Sequence, residues 1–563
     1  MILVQNLRQR LNGNNTHYLL IFAVKLVTGN MNGIIRISAL LLLSISGSIA
    51  LKAQLLNEQA FKFGTVLEWI DKYYVDSVDQ GLLVEHAISE LLKELDPHSS
   101  YLTKEEVKDL NEPLQGNFEG VGVSFNILHD TVYIIAPVTG GPSDKAGIMA
   151  GDRIIKVDGR NVAGIGITSE QVYALLRGKK GSKVTVSILR KNVPGLSEYN
   201  IIRDKIPIYS IDAFYQINED IGYIKINRFS MTTMDEFDEA INKLKDNNVK
   251  DLIVDLTGNG GGYLEVAINL ADQFLDDEKL ILYTQGINSP KRQYFASREG
   301  KFEKGNLVIL IDEGSASASE ILSGAIQDWD RGIIVGRRSY GKGLVQKPLL
   351  LPDQSMIRLT VAKYYTPTGR LIQKPYQMDR DDYDKELLTR YMNGELAHKD
   401  SIHLPDSLKF YTLKNTRLVY GGGGIMPDYF VSIDTSFYSD YYRQLMRKGT
   451  ISQFVLEYVD NNRKEIVKEY PDFKSFKNGF EVSEKLMSKF IKYAESDGIP
   501  ENKTGLSFSK EQIELLLKAN IARDLWSTNE FFEIANLKDP KIETAITILK
   551  NWDKYEVMLL NKK

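Results

Sequence analysis

The sequence predicts a multidomain α/β protein, and three observations carry that prediction. The chain has 563 residues, 43% of them hydrophobic and 26% charged, so it can bury several cores, and three or four domains are expected rather than one. Short alternating segments from residue 117 give way after residue 206 to repeated buried strands and amphipathic helices, the pattern of a parallel sheet flanked by helices. Helix-type spacing then fills residues 436–563. Composition excludes other classes. The formal charge of -4 is small for this length and no long basic run is interleaved with aromatics, so nucleic acid is not an expected partner. With no cysteine and six scattered histidines that form no HExxH pair, thiol nucleophiles, disulfides, a lipid-anchor cysteine and a metal site are not expected, and no cofactor is implied.

Taken in order, residues 1–53 read as an export signal: Met31, Arg36, then "ISALLLLSISGSIAL" and "KAQ", which is a basic start, an apolar run and a cut after Ala53. A membrane-anchoring helix is the alternative, but the apolar run is shorter than the ~20 residues of a span and carries Ser44, Ser46, Gly47 and Ser48. A second basic and apolar patch within residues 1–30 leaves Met31 as an alternative start. An exported, periplasmic protein is expected, with inner-membrane anchoring as the other outcome. Residues 54–116 follow as a helical segment in which Phe61, Val66, Leu67, Ile70 and Tyr74 are spaced for one buried face. "LDPHSSYLT" (95–103) interrupts it with a proline and a run of turn formers.

Residues 117–206 form a β-rich module. "FEGVGVSF", "TVYIIAPV", "DRIIKVDG" and "KVTVSILR" are short strands, and "SEQVYALLRG" is a helix. Gly120 and Gly122, around Val121, free the backbone to turn its amides toward one point, where a terminal carboxylate could sit. Val123 to Ile127 would offer a strand edge beside it for β-augmentation. A glycine bulge in an ordinary barrel is the bland alternative. The order of the whole stretch, with "SDKAGIMAGDRIIKVDG" between the glycine loop and the helix, resembles a PDZ domain.

Residues 207–435 read as an α/β core. "IGYIKINRF", "DLIVDL" and "NLVILID" are strands, with helices "TMDEFDEAINKLKD" and "YLEVAINLADQFL" between them. Function in such a sheet lies at the carboxyl ends of its strands, where "GNGGG" (258–262) and "GSASASE" (314–320) fall. Ser317 with Glu320 satisfies the S-x-x-E pattern of an inert helix cap. Yet Ala316 and Ala318 leave the middle serine without bulky neighbours, and a helix N-terminus supplies amides for developing negative charge. No G-x-S-x-G elbow surrounds it, and no histidine lies between His129 and His398, which turns attention to lysine as its base. Lys342 stands between glycines in "GRRSYGKGLVQ". Ser339 and Lys342 also spell S-x-x-K, as do Ser507 and Lys510, but that arrangement needs a helix and "YGKG" is a poor one.

"LDPHSSYL", the PDZ-like stretch, "DLTGNGGGYL", "GSASASEILSGAIQD", "YGKGLVQ", "KYYTPTGRLIQ" and "GIMPD" occur in the order found in the carboxyl-terminal processing peptidases, or tail-specific proteases, which the chain resembles over residues 60–435. The resemblance implies a protease core with an inserted or preceding PDZ domain and Ser-Lys chemistry. It implies Ser317 as nucleophile, Lys342 as general base, Gln346 orienting the lysine, and an oxyanion hole from the amide of Ala318 with that of Gly261 or Gly262. Carried onto the PDZ-like stretch, it implies that Gly120, Val121, Gly122 and Val123 bind peptide termini. Thr257 departs from the arginine common in the family, which bears on support for that loop.

Lysine chemistry agrees with those roles. Free lysine titrates near ~10.4, so a neutral base near pH 7 needs a depression of about 3 pH units, ~4 kcal/mol of differential solvation, which burial must supply. A carboxylate partner would undo the shift, whereas the amide of Gln346 accepts a hydrogen bond without adding charge. The charged stretch "DRDDYDKELLTRYMNGELAHKD" (379–400) reads as a solvated surface excursion. Residues 436–563 read as a helical extension for packing, oligomerisation or an adaptor. The expected function is an exported serine endopeptidase acting on proteins with free C-termini, and its alternative is a non-catalytic PDZ scaffold on a protease-derived core.

Overall fold

The computed structural model describes residues 58–297, 299–376 and 380–560; the expected export signal lies outside them. Among the described residues no helix is long and apolar enough to cross a membrane. The chain divides into two units, one ending at Leu91 and one running from Leu92. The first holds α1 (58–73) and most of α2 (Gln80–Lys93). The spacing at Phe61, Val66 and Tyr74 does give a helix, but those side chains are exposed rather than buried.

The second unit starts differently from the helical segment expected there. Residues 96–99 form a loop, β1 (Ser100–Leu102) follows, and α3 (Lys104–Gln115) is opened by a Thr103–Glu106 capping box. The β-rich module comes next. In it β2 (Asn117–Gly120) pairs antiparallel with β9 (Asp204–Pro207), joining the module's two ends. Between them β3 (Val123–Leu128), β4 (Thr131–Pro137), β5 (Arg153–Val157), β7 (Lys183–Leu189) and β8 (Ser197–Ile202) form one sheet in that order, with β6 (Arg160–Asn161) beside β5. A short α4 (Pro142–Lys145) and α5 (Ser169–Leu176) complete it around a core that includes Val132, Ile134, Val184 and Ile188. Among the described residues β3 pairs with β4 alone, so its outer edge is open.

The core sheet contains β10 (Ile211–Gln216), β11 (Ile221–Ile226), β12 (Asp251–Asp255), β15 (Leu307–Ile311), β16 (Ile333–Gly336) and β21 (Tyr429–Phe430), parallel from β11 onward. Its central strands β15 and β16 are continuous apolar runs because both faces are covered. Leu252 and Val254 point to α6 (Thr233–Asp246), α7 (Leu264–Ala271) and α8 (Ala318–Asp328), while Ile253 points the other way. There Ile542, Ala545 and Ile548 of α17 (Pro540–Lys550) cover it, so part of the C-terminal extension completes the core. Each aliphatic side chain so buried stabilises the fold by roughly 1.5–3 kcal/mol.

A second sheet runs β1, β18 (Met356–Tyr365), β13 (Leu280–Gly286), β14 (Ser289–Phe295), with β17 (Leu344–Leu350) also on β18. The charged stretch supplies α9 (Arg380–Asp384) and α10 (Glu386–Met392), and a hairpin of β19 (Lys409–Tyr411) and β20 (Leu418–Tyr420) follows. The remaining helices, α11 (Asp440–Lys448), α12 (Thr450–Glu469), α13 (Phe473–Gly479), α14 (Glu484–Ser496), α15 (Lys503–Leu525) and α16 (Thr528–Ala535), enclose a core around Val455, Phe476, Phe490 and Ile513. From α12, Asp460 and Asn461 reach the β-rich module, where Lys191 Nζ donates to the Asp460 carbonyl (3.1 Å) and to Asn461 Oδ1 (2.8 Å).

Candidate active site

Loops follow the carboxyl ends of the neighbouring strands β12, β15 and β16, and they carry "GNGGG", "GSASASE" and "GRRSYGKG" to one edge of the sheet. The three serines of the middle loop divide by role. Ser315 is buried; its Oγ donates to the Leu256 carbonyl (2.8 Å) and accepts the Asp312 amide (2.9 Å). Ser319 is buried and donates to the Asn259 carbonyl (2.9 Å). Both hydroxyls pin the loop to the strand beside it. Ser317 lines the cleft at the start of α8, where it forms a capping box with Glu320.

The backbone at Ser317 has φ +54° and ψ -108°, a sparsely populated conformation that costs on the order of 1–3 kcal/mol and presents its Oγ outward. Its neighbours fix that geometry. The Glu320 carboxylate accepts the Ser317 amide (2.8 Å), the Glu320 amide bonds the Ser317 carbonyl (2.9 Å), and Asn259 accepts the Ala316 amide on its carbonyl (2.9 Å). Gly261 lies so close that a Cβ there would stand 2.9 Å from the Ser317 Cβ and 3.1 Å from the Ala318 nitrogen. A Cβ on Gly262 would stand 2.0 Å from the Phe229 carbonyl. The Gly261 amide already donates to Asn259 Oδ1 (2.8 Å). Among the described residues the amides of Ala318 and Gly262 have no protein acceptor, which leaves those two able to bind an oxyanion.

Thr257, where the resemblance leads one to expect arginine, sits in a supported loop: Lys225 Nζ donates to its Oγ1 (2.8 Å) and to Asp255 (3.1 Å). A cation from the adjacent strand serves the loop instead.

Lys342 lies across the cleft. Its Nζ donates to Gln346 Oε1 at 3.1 Å, and burial, aided by the Arg358 guanidinium, lowers its pKa to about 8 against a smaller opposing pull from Glu320 and Asp96. Gln346 is held at both ends of its amide. Arg358 Nη2 donates to Oε1 (2.8 Å), and Nε2 donates to the His98 carbonyl, so the acceptor oxygen, not the amide nitrogen, is turned to the lysine. Glu320 ties the Lys342 loop to the Ser317 loop. Its buried carboxylate accepts the amides of Ser317 (2.8 Å), Lys342 (2.9 Å) and Gly341 (2.7 Å) and the Ser339 hydroxyl (2.5 Å). Burial pushes that carboxyl above its usual range while those donors pull against it. Tyr364 Oη reaches the carbonyls of Ser317 (3.1 Å) and Lys342 (2.8 Å) from β18. Ser339, the partner in the S-x-x-K pattern, is buried against Glu320 and Ile425. No hydrogen bond among the described residues joins Ser317 to Lys342, although both line one cleft of about 1010 Å³ with Leu114 of α3, Gly262, Gln346 and Tyr364.

The charged stretch 379–400 is a surface excursion only in part: among its described residues most side chains are exposed, but a few turn into the fold. Tyr383, Arg390 and Glu395 are buried, because Arg390 donates to the carbonyls of Arg338 (2.7 Å) and Ser339 (3.1 Å) while Glu395 pairs with both arginines. Sequence reasoning missed these residues, and also Glu320's second role, Arg358, Tyr364 and His98. Only the polar "LDPHSS" run, too rich in side-chain acceptors for a plain turn, carried a signal. In the β-rich module, the amides of Val121 and Gly122 donate to no protein group among the described residues, and Gly120 and Val123 flank them at the open edge of β3. Arg177, just past α5, pairs with Glu112 of α3 (2.8 Å).

Known proteins share these features. A model of peptidase family S41 matches residues 220–381, a PDZ domain model matches 120–197, and a family of unknown function (DUF8443) matches 441–527. The carboxy-terminal-processing protease of Bartonella bacilliformis is 35% identical over 321 residues, 56% of this chain and 73% of that protein. The carboxy-terminal processing protease CtpA of Bacillus subtilis is 36% identical over 56% of this chain and 66% of its own length. Among solved structures, the photosystem II D1 C-terminal processing protease is 29% identical over 56% of this chain and 87% of its own, with a TM-score of 0.31. On the breadth of the first of these matches, the chain belongs to the carboxy-terminal processing proteases of peptidase family S41, and it is a serine-type peptidase with a PDZ domain.

Proposed function

We propose that this protein is an exported endopeptidase that captures free C-termini through its PDZ domain and cleaves through a Ser317–Lys342 acyl-enzyme mechanism. One observation carries the reading: a strained, outward Ser317 shares a cleft with a lysine lowered to about 8 and held by a neutral amide. Neutral Lys342 takes the Ser317 proton as Oγ attacks the scissile carbonyl. The amides of Ala318 and Gly262 receive the oxyanion, and the lysine ammonium then protonates the departing amine. A water, deprotonated by the same lysine, releases the acyl group. Serine and base are not hydrogen-bonded in the free protein, so their approach belongs to the substrate-bound state. Substrate tails would add to the open edge of β3, with the carboxylate on the Val121 and Gly122 amides. Export rests on Arg36 and the apolar run before Ala53, and a mature N-terminus at Gln54 is the expected product.

The test is turnover of an unfolded substrate by the full chain. Ser317→Ala and Lys342→Ala are each expected to lower kcat/KM by about 1000-fold or more, and turnover equal to wild type in either variant would overturn the assignment. A substrate with a free apolar C-terminus should be cleaved several-fold faster than its amidated form. Equal rates would remove the PDZ domain from substrate capture.

A further inference from the structure

The stretch 379–400 follows the core motif "KYYTPTGRLIQ" and precedes "GIMPD", and nothing in the reaction as described uses it. Its one aromatic ring inside the fold is nevertheless aimed at the base. Tyr383, 2% exposed, places its Oη 2.7 Å from His98 Nε2 and 3.2 Å from Gln373 Nε2. Each contact continues to the base loop. The backbone carbonyl of His98 accepts Gln346 Nε2, and Gln373 Oε1 accepts the amide of Gly343, next to Lys342 (2.8 Å). The two arms therefore meet the segment 343–346 at both ends, and Lys342 Nζ rests on Gln346 between them.

Protonation states fit this chain of bonds. Burial and the Lys342 ammonium lower His98 to about 4, so its ring is neutral at working pH and Nε2 can accept. Burial pushes the Tyr383 phenol well above its usual range, so its O–H remains to donate. Tyr383 accepts from Gln373 and lies within donating distance of the neutral His98 ring, with the Tyr340 phenol as a further side-chain partner. The segment that carries Tyr383 is anchored rather than loosely laid on the surface. Arg390 holds the Arg338 and Ser339 carbonyls, and Lys374 Nζ sits 4.0 Å from the Tyr383 ring centroid while donating to the Tyr383 carbonyl (3.3 Å).

We infer that Tyr383 is a positioning residue for the general base: through His98 it fixes which atom of the Gln346 amide faces Lys342, and through Gln373 it fixes the loop that carries the lysine. The inserted stretch 379–400 is thereby part of the catalytic apparatus. This rests on the Ser317–Lys342 reading. Loss of the Tyr383 hydroxyl frees the His98 ring and loosens the backbone carbonyl that holds Gln346 Nε2, leaving Arg358 as the remaining hold on the amide, so that the lysine is presented correctly for only part of the time. Substrate contacts in the cleft are untouched.

The experiment is a double-mutant cycle on the full chain with one unfolded substrate. Tyr383→Phe should lower kcat roughly 5- to 20-fold, the size expected for one hydrogen bond acting on a reacting group, with KM within about twofold of wild type. In a Gln346→Ala background the same change should cost clearly less, because the His98 route to the lysine has been removed and only the Gln373 arm remains. His98→Phe, which keeps the carbonyl and removes the ring acceptor, should reproduce the loss and not add to it, and it serves if Tyr383→Phe does not fold. Equal losses in the two backgrounds, no loss in either single variant, or a loss confined to KM would overturn the proposal. Lys342→Ala distinguishes the two layers: turnover retained there overturns the Ser–Lys reading itself, whereas turnover abolished there with an additive cycle removes only the role of Tyr383.

Discussion

Ser317 is set by the seven residues "GSASASE" and one neighbouring loop, whereas Lys342 is held by contacts drawn from His98 to Arg390. The nucleophile needs a shape: a strained backbone, small neighbours, and amides left over at the start of α8. Local sequence can encode all of that, with Ser315 and Ser319 as the pins. The base needs an environment. Lowering a lysine requires walls on every side and an acceptor without charge, and no short segment can surround its own side chain. Here His98, Arg358, Tyr364, Gln373 and Tyr383 close around it from separate parts of the chain. On the proposed Ser317–Lys342 reading, a nucleophile can thus be specified by a motif, but a lysine base has to be specified by a fold.

The residue common to both halves is Glu320, and replacing it breaks the comparison most severely. Each of its oxygens accepts at least one backbone amide: Oε2 those of Ser317 and Lys342, Oε1 that of Gly341. In Glu320→Gln either orientation of the side chain sets an NH₂ against an N–H donor that cannot turn away. Each buried donor left unpaired costs about 1–3 kcal/mol. We expect unfolding free energy to fall by about 2–4 kcal/mol and kcat/KM by roughly 100-fold, read from denaturant titration and peptide turnover. Wild-type values for both would show that the two halves are held independently.

What the sequence disclosed follows the same division. The alternation of strand and helix gave the core, because strands covered on both faces are apolar along their length, as β15 and the Leu252–Val254 centre of β12 are. Ser317, Lys342 and Gln346 stood out as candidates because each sits in a contiguous motif, and the structure brings them to one cleft. Spacing could not separate Gly261 from Gly262, since only the bond from the Gly261 amide to Asn259 distinguishes them. Tyr383, Arg390 and Glu395 were illegible for a physical reason. A run of charges normally faces water, as most of this one does, and Arg390 and Glu395 are buried because the carbonyls of Arg338 and Ser339 lie within reach of a guanidinium. The apolar spacing of α1 predicted a helix correctly and its burial wrongly: periodicity reports which side chains share a face, not what covers that face.

A smaller perturbation changes the environment of the base and leaves the nucleophile alone. Lys342, lowered to about 8, is neutral and competent above that value and is lost as a base when pH falls through it, so kcat/KM should show an acid limb near there. Gln346→Glu sets an anion beside the ammonium and favours its protonated form. The new carboxylate is shared with Arg358, which already donates to this position, and that sharing limits the change without reversing its sign. The limb should move upward by about 1 pH unit or more, lowering activity near pH 7 by about 10-fold, with partial recovery in alkali. A pH series of kcat/KM for both proteins, with folding followed across the range, reads it. An unmoved limb in a folded, active variant would mean that Gln346 does not bear on the base.

The least disturbing change is Ser339→Ala, and its value lies in what it should leave intact. Ser339 and Lys342 spell S-x-x-K, so a local reading of the base loop would make Ser339 the nucleophile. Its hydroxyl instead donates to Glu320 Oε1 (2.5 Å) and accepts the Ile425 amide (2.6 Å), and its side chain is fully buried. Removing it leaves the Ile425 N–H without a partner and Glu320 with one donor fewer, a cost of about 1–3 kcal/mol in stability. Ser317 keeps its strained backbone, and Lys342 keeps Gln346 and Arg358. Turnover should therefore stay within about threefold of wild type, and the acid limb should stay where it was, because neither group that sets it has been touched. Thermal unfolding should show the loss that turnover does not. Abolished turnover in a folded Ser339→Ala protein would return the nucleophile to the base loop, and the division between a motif-built serine and a fold-built lysine would fall with it.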